Sequence, residues 1–232
     1  MIVDTSFDVR TDSNGRDPDS YSPTLRSYHR ILWSKKLPNG FDMELDEFLN
    51  CTIDDEFFQL SSDSISNSYR YQKRYQYMIS QINKEDVDEF YDVGCTIGGY
   101  IIYPRNRIDN KNTINQERGV NNKICDRFDL TLECIRLYYL NEHSPLFDCF
   151  KRYDIFFKLF VDFKGYVDFF LLQDLVSNDY QTVKFFIDFN GFEDMPMPKT
   201  KDEYLEYKNN TVSFVRNRNR RIDEYIQENS IE

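Results

Sequence analysis

IFFKLFVDFKGYVDFFLLQDLV, residues 155–176, is long enough to cross a bilayer as one helix, and the fold of the whole chain depends on whether it does. It carries Lys158, Asp162, Lys164, Asp168 and Asp174. Each charge costs about 2.5 to 3.5 kcal/mol at mid-membrane depth, more than the phenylalanines return. Lys158 to Asp162 and Lys164 to Asp168 are instead i, i+4 pairs, which suits a helix buried on most sides with a narrow solvated strip. The segment is therefore expected at the centre of a packed core, with no membrane span.

The elements around it read as follows. Ser22 followed by Pro23 is a cap and a first-turn proline, predicting a helix over 23–35 that ends at LPNG. FDMEL (41–45) and FFQLS (57–61) alternate as short strands. Ser62 and Asp63 offer caps for a helix over about 64–82. CTIGGYIIY (95–103) is the best strand, closed by Pro104, and its Gly98-Gly99 pair points to a bulge or a close backbone approach, more often by a neighbouring element than by a ligand. From Asp126 onward the pattern is helical, over 126–142, 155–176 and about 201–228, except for VKFFIDF (183–189), which alternates like a strand. These elements make an α+β fold, a mostly helical single domain spanning 1–232 with a small antiparallel sheet, and residues 1–22 form an arm of the same domain.

The chain has 29 Lys+Arg against 40 Asp+Glu, a formal charge of -11, so as a whole it repels nucleic acid and anionic membranes and non-specific DNA binding is not expected. Aromatic residues make up 16% of it, which a disordered chain does not carry. Five cysteines with no CxxC spacing and no basic, apolar leader point to reduced thiols and a cytoplasmic protein.

Against that acidic background, residues 103–127 hold Arg105, Arg107, Lys111, Arg118, Lys123 and Arg127 with only Asp109, Glu117 and Asp126 to balance them. The run overlaps TINQERGVNNKICDRFDLTLECIR (113–136). Arg118-Gly119 is read as loop, and amides near the glycine, with the N-terminus of the helix from Asp126, could hold a phosphate or carboxylate. Arg105, Asn115, Arg118 and Arg127 are the candidate ligand-binding residues. Asp129, Glu133 and Arg136, spaced by four and three, share a helix face and are the candidate catalytic residues, a buried carboxylate serving as acid or base. The competing reading of the same residues is an arginine–carboxylate network that ties the fold together.

Other chemistry finds little footing. Only His29 and His143 occur, without zinc spacing, and TDSNGRDPDSY fails as a calcium loop because Arg10 and Tyr21 fall where carboxylates are required, so neither metal nor cofactor is expected. Asp17-Pro18-Asp19 reads as turn chemistry. Arg136 and His143 match the loose spacing of HEPN-type ribonucleases, but the helix stop Ser144-Pro145 and the acidic charge argue against it. FVRNRNRRID (214–223) spreads its arginines around a helix, as a solvated surface does.

TSFDVRTDSNGRDPDSYSPTLRSYHRILWSKKLPNG, TIGGYIIYPRNRI, TINQERG, DRFDLTLECIRLYY and FFLLQDLV resemble an uncharacterised family of bacterial proteins, a domain of unknown function, over nearly the full chain. That resemblance implies a self-contained domain that includes the N-terminal arm, and it assigns no catalytic residue. Two functions follow as expectations: a cytoplasmic protein that binds a phosphate-bearing ligand, nucleotide or RNA end, through the arginine-rich junction, or a non-catalytic module of a phage-defence, counter-defence or toxin–antitoxin system that binds a protein partner.

Overall fold

A hairpin turned by Asp54 and Asp55, both in the left-handed region (φ 48° and 66°), starts the sheet. It joins β1 (Asn50–Ile53) to β2 (Glu56–Ser64), and β2 pairs on its other side with β3 (Tyr100–Pro104), giving an antiparallel order β1-β2-β3. The computed structural model describes residues 3–229, so the two ends of the expected 1–232 span lie outside it. Around the sheet stand α1 (Pro18–Tyr21), α2 (Pro23–Trp33), α3 (Gln76–Ile79), α4 (Lys84–Gly94), α5 (Ile114–Val120), α6 (Phe128–Tyr139), α7 (Phe147–Arg152), α8 (Asp154–Lys158), α9 (Phe163–Phe169) and α10 (Lys201–Asn229). The fold is α+β and mostly helical. Among the described residues, no helix is long and apolar enough to cross a membrane.

The 155–176 segment is buried as expected, but it is three short helical turns rather than one helix. Asp162 does not pair with Lys158; its Oδ1 accepts the Gly165 amide at 2.7 Å and caps α9, while Lys158 turns back to Asp154 at 2.6 Å. Val161 and Leu171 break the run with φ of 69° and 56°. A Cβ on Gly165 would lie 2.1 Å from the Phe160 carbonyl oxygen, so only glycine allows α9 to fold back this tightly. The result packs Phe156, Phe157, Phe160, Tyr166 and Phe170 into one aromatic cluster under Trp33.

Other expectations need correction. FDMEL (41–45) joins no ladder, and β1 lies further on, at 50–53. The helix expected over 64–82 is instead the end of β2, an irregular stretch with Tyr69 at φ 55°, a 3₁₀ turn and the short α3. Irregular backbone there lets Ile65 and Tyr69 both reach the core, and the Tyr69 hydroxyl donates to the Cys125 carbonyl at 3.2 Å. Residues 183–189 contribute one isolated bridge, Val176 to Val183, not a strand. Arg118-Gly119 is helical, inside α5, which Thr113 and Gln116 start with a capping box.

α10 closes the structure over Ile97–Gly99. A Cβ on Gly98 would lie 2.6 Å from both the Val215 carbonyl oxygen and Asn219 Oδ1, so the glycine serves helix packing. Asn219 Oδ1 accepts the Gly98 amide at 2.5 Å. Arg218 is fully buried beside it and donates to the carbonyls of Phe170 (2.9 Å), Gly98 (2.9 Å) and Tyr100 (2.6 Å) and to the Tyr28 hydroxyl (3.2 Å). The N-terminal stretch is laced to the same place: the Ile97 amide donates to the Thr5 carbonyl at 3.2 Å, Val9 to Cys95 at 3.1 Å, and the Thr5 hydroxyl to Asp223 at 2.8 Å.

Candidate functional site

Two of the four candidate ligand-binding residues, Arg118 and Arg127, are fully enclosed and already partnered. Arg127 places Nε 3.1 Å from Asp129 Oδ1 and Nη2 2.5 Å from Asp129 Oδ2, and donates further to the carbonyls of Pro196 (2.7 Å) and Ile187 (3.2 Å). Asp129 is equally enclosed and also accepts the Phe186 amide at 2.9 Å. This pair ties the start of α6 to the 186–197 segment. Glu133 and Arg136 lie one turn on and hold each other by two hydrogen bonds of 2.8 and 2.7 Å on a half-buried face. Asn115 is half-buried, and its Oδ1 has no hydrogen-bond partner. Arg105 is exposed just past β3, where its amide donates to the Gln59 carbonyl at 2.7 Å. His143 is exposed and its ring rests 4.8 Å from that of Phe147.

Arg118 is the centre of a different constellation. α5 aims its guanidinium at the end of β2, where it forms an ion pair with Asp63, lies 3.6 Å from Asp126, and donates to the Thr131 hydroxyl at 2.9 Å and the Ser64 carbonyl at 3.3 Å. Asp126 accepts from the Asn67 side chain at 2.9 Å. On the neighbouring residue of β2, the Ser62 amide donates to Asp19 at 2.8 Å and the Ser62 hydroxyl lies 2.8 Å from His29 Nε2. Thus α1 (Asp19), α2 (His29), β2 (Ser62 and Asp63), α5 (Arg118) and the approach to α6 (Asp126) bring polar side chains to the same end of the sheet.

The electrostatics there are unusual. Burial raises the pKa of Asp19, Asp63 and Asp126, the last to about 6, against the pull of Arg118 on Asp63 and Asp126 and of Arg105 on Asp19. Burial lowers His29 to about 3, so it is a neutral imidazole. Cys125 and Asp126 both stand in the left-handed region, at φ 51° and 60°, and such consecutive strained residues persist only where the surroundings impose them. Displaced carboxylate pKa values of this kind occur at functional sites and in structural ion-pair networks alike.

Ser62, His29 and Asp19 have the composition of a nucleophilic triad but not its geometry. Asp19 lies 3.5 Å from the same Nε2 that meets Ser62, while Nδ1, which an orienting carboxylate would hold, has no partner. Among the described residues, no group of three or more His, Cys, Asp or Glu side chains is placed to hold a metal ion.

Arg118 and Asp126 are legible from sequence as neighbours in one charged run, but Asp19 reads as turn chemistry and Ser62-Asp63 as helix caps, and nothing in the chain links positions 19 and 63 to 126. The one available signal was the polar run SSDS inside an otherwise alternating strand.

Because Asp126 is held above its ordinary 3.8, the native state binds more protons than the unfolded chain between about pH 4 and 6, and stability falls as pH rises through that window. His29, depressed from 6.5 to about 3, acts oppositely: stability is lost as pH falls below 6.5. Asp126→Asn is therefore expected to gain roughly 1 to 3 kcal/mol at pH 7 to 8 and to lose stability more steeply on acidification. Urea melts across that pH range measure both. A variant less stable than wild type at neutral pH would contradict the assignment of a costly charge.

The profile of a family of unknown function (DUF6994) matches residues 3–222. No curated protein and no solved structure matches the chain.

Proposed function

We propose that this chain, which belongs to that family of unknown function, binds a phosphate-bearing ligand of the nucleotide class at the rim of the Arg118 cluster and exchanges a proton with it through Asp126. The observation that carries this reading is Asp126 itself: a carboxylate with 26% of its side chain exposed, on left-handed backbone, raised by burial to about 6 beside a buried counter-ion. A general acid or base works best when its pKa lies near the operating pH. Arg118 touches no ligand in this scheme; it positions Asp63 and Asp126. Asp129 is too enclosed to meet a substrate and Glu133 is committed to Arg136, so the acid–base role passes to Asp126.

Three carboxylates against Arg118 leave the cluster negative, so a phosphate would not enter it. It would sit on exposed Arg105, whose charge reaches Asp19, while amino or ring N–H donors of the base face the acceptor oxygens of Asp63 and Asp126. Five free thiols accord with a cytoplasmic setting.

Thermal-shift screening with nucleotides and sugar phosphates tests the reading. A ligand at a hundred times its Kd stabilises the native state by about 2.7 kcal/mol, a rise on the order of 5 °C for a chain of this size. Arg105→Glu and Asp126→Asn should each reduce it. No shift with any of these compounds, or equal shifts in all three proteins, would sink the proposal.

A further inference from the structure

The hairpin side of the sheet carries chemistry that neither the core nor the Arg118 cluster uses. Phe48 and Phe57 expose 64% and 60% of their surface there, although the molecule buries most of its other phenylalanines. Neither is a fraying side chain. Phe48 sits in a turn that Asp46 fastens by accepting from the amides of Phe48 (2.7 Å) and Asn50 (2.9 Å) and from the Asn50 side chain (2.8 Å). Buried Leu49, at φ 61°, anchors the same turn from below. Phe57 stands within the β1–β2 ladder opposite Thr52.

Between residues 41–46 and the β1–β2 hairpin a cleft of about 580 Å³ opens, with Phe41, Leu45 and Phe57 among its apolar walls and Asp42, Glu44 and Asp46 among its acidic ones. Glu47, Asp54, Asp55 and Glu56 continue the negative charge around it, and no Lys or Arg occurs between Phe41 and Tyr69. Carboxylates elsewhere are widely paired, yet among the described residues none of these seven forms an ion pair. Two cations close by are engaged with other groups: Arg26 donates to the Glu47 backbone carbonyl at 2.9 Å, and Lys158, whose charge also reaches Asp54, is bound to Asp154; exposed Arg105 stands further along β2, where its amide donates to the Gln59 carbonyl.

We infer that this face, residues 41–57, is a docking surface for a partner protein that presents an apolar side chain flanked by lysines or arginines. Charge selects that occupant over the others. A second copy in a symmetric contact would set seven unpaired carboxylates against seven, and anionic lipid or nucleic acid would be repelled likewise. A basic partner would neutralise the rim while its apolar side chain is covered by Phe48 and Phe57, the arrangement of aromatic anchors within a polar rim. The surface is separate from the Arg118 cluster and stands or falls without it.

The probe is a short synthetic peptide of arginine and serine carrying two leucines, with one control in which glutamate replaces arginine and another without leucine. Binding to the full chain is followed by fluorescence anisotropy and by amide hydrogen exchange. The first peptide should bind, weaken as salt rises, and slow exchange within residues 41–57. The double substitution Phe48→Ser with Phe57→Ser should weaken it by about tenfold or more, while Tyr71→Ser with Tyr77→Ser, exposed elsewhere, should not. Glu44→Lys with Glu47→Lys keeps both phenylalanines and should also weaken binding, which separates docking from damage to the fold. The inference is overturned if the peptide fails to bind, if the leucine-free peptide binds equally well, if the Phe and Tyr variants are equal, or if light scattering shows a wild-type dimer that the Phe variant abolishes.

Discussion

Arg127→Met is expected to lose about 3 to 5 kcal/mol of stability, because it leaves the enclosed Asp129 carboxylate without its counter-charge. The loss has a location as well as a size. Arg127 reaches the carbonyls of Ile187 and Pro196, and Asp129 holds the Phe186 amide, so exchange of amides over residues 184–198 should accelerate before the rest of the molecule opens. Adding Asp129→Leu to the variant should recover part of the loss, since no isolated charge then remains buried, but not all of it, since Phe186, Ile187 and Pro196 still lack partners. A shift in urea midpoint equivalent to less than about 1 kcal/mol for Arg127→Met would mean that the pair is a bystander.

Arg218→Met is expected to rival it, for a different reason. Among the described residues no carboxylate forms an ion pair with Arg218; its donors are spent on three backbone carbonyls and a tyrosine hydroxyl from α2, β3, the turn before it and the end of α9. Methionine relieves the cost of a buried charge but strands those acceptors, at about 1 to 3 kcal/mol for each that stays buried and unsatisfied. A net loss of roughly 3 kcal/mol or more is expected, together with lengthwise loosening of α10 from the sheet, read as faster exchange of the Tyr100 to Tyr103 amides. Lysine in place of methionine cannot rescue it, because one ammonium cannot span carbonyls that the planar guanidinium fork reaches together.

The two arginines mark where sequence reading ends. α10 was legible within a residue or two, because its apolar stripe is narrow and MPMPK stops the chain before it; Ser22-Pro23 announced α2, and the Ser22 hydroxyl does accept the Leu25 amide at 3.1 Å. The misread segment 64–82 fails for a tertiary reason: Tyr69 takes a left-handed backbone conformation, which the chain accepts because its ring stacks on Tyr207 at 5.7 Å and its hydroxyl reaches Cys125. Breaks at Val161 and Leu171 were invisible for a similar reason, as neither residue advertises a turn. At the candidate site, Arg118 stands out by local charge, but Asp19 and Asp63 lie 44 or more positions from one another and from Asp126. Only the sheet brings them together. FVRNRNRRID was read as solvated surface, which holds for Arg216 and Arg220 and misses that Arg218 faces inward.

The lacing of the N-terminal stretch to α10 sets a timetable for the nascent chain. Thr5 bonds to both Ile97 and Asp223, and Gly98 is sealed by Asn219, so the first and last described elements complete one seam. Contacts of such high sequence separation form late, since loop closure must precede them. On the ribosome, the groove over Ile97–Gly99 and α4 stays open until α10 emerges, and its apolar lining is then at risk from other chains. A tag fused near Thr5 would burden this last step, whereas the β1–β2 hairpin, closed by a local turn, would already be in place.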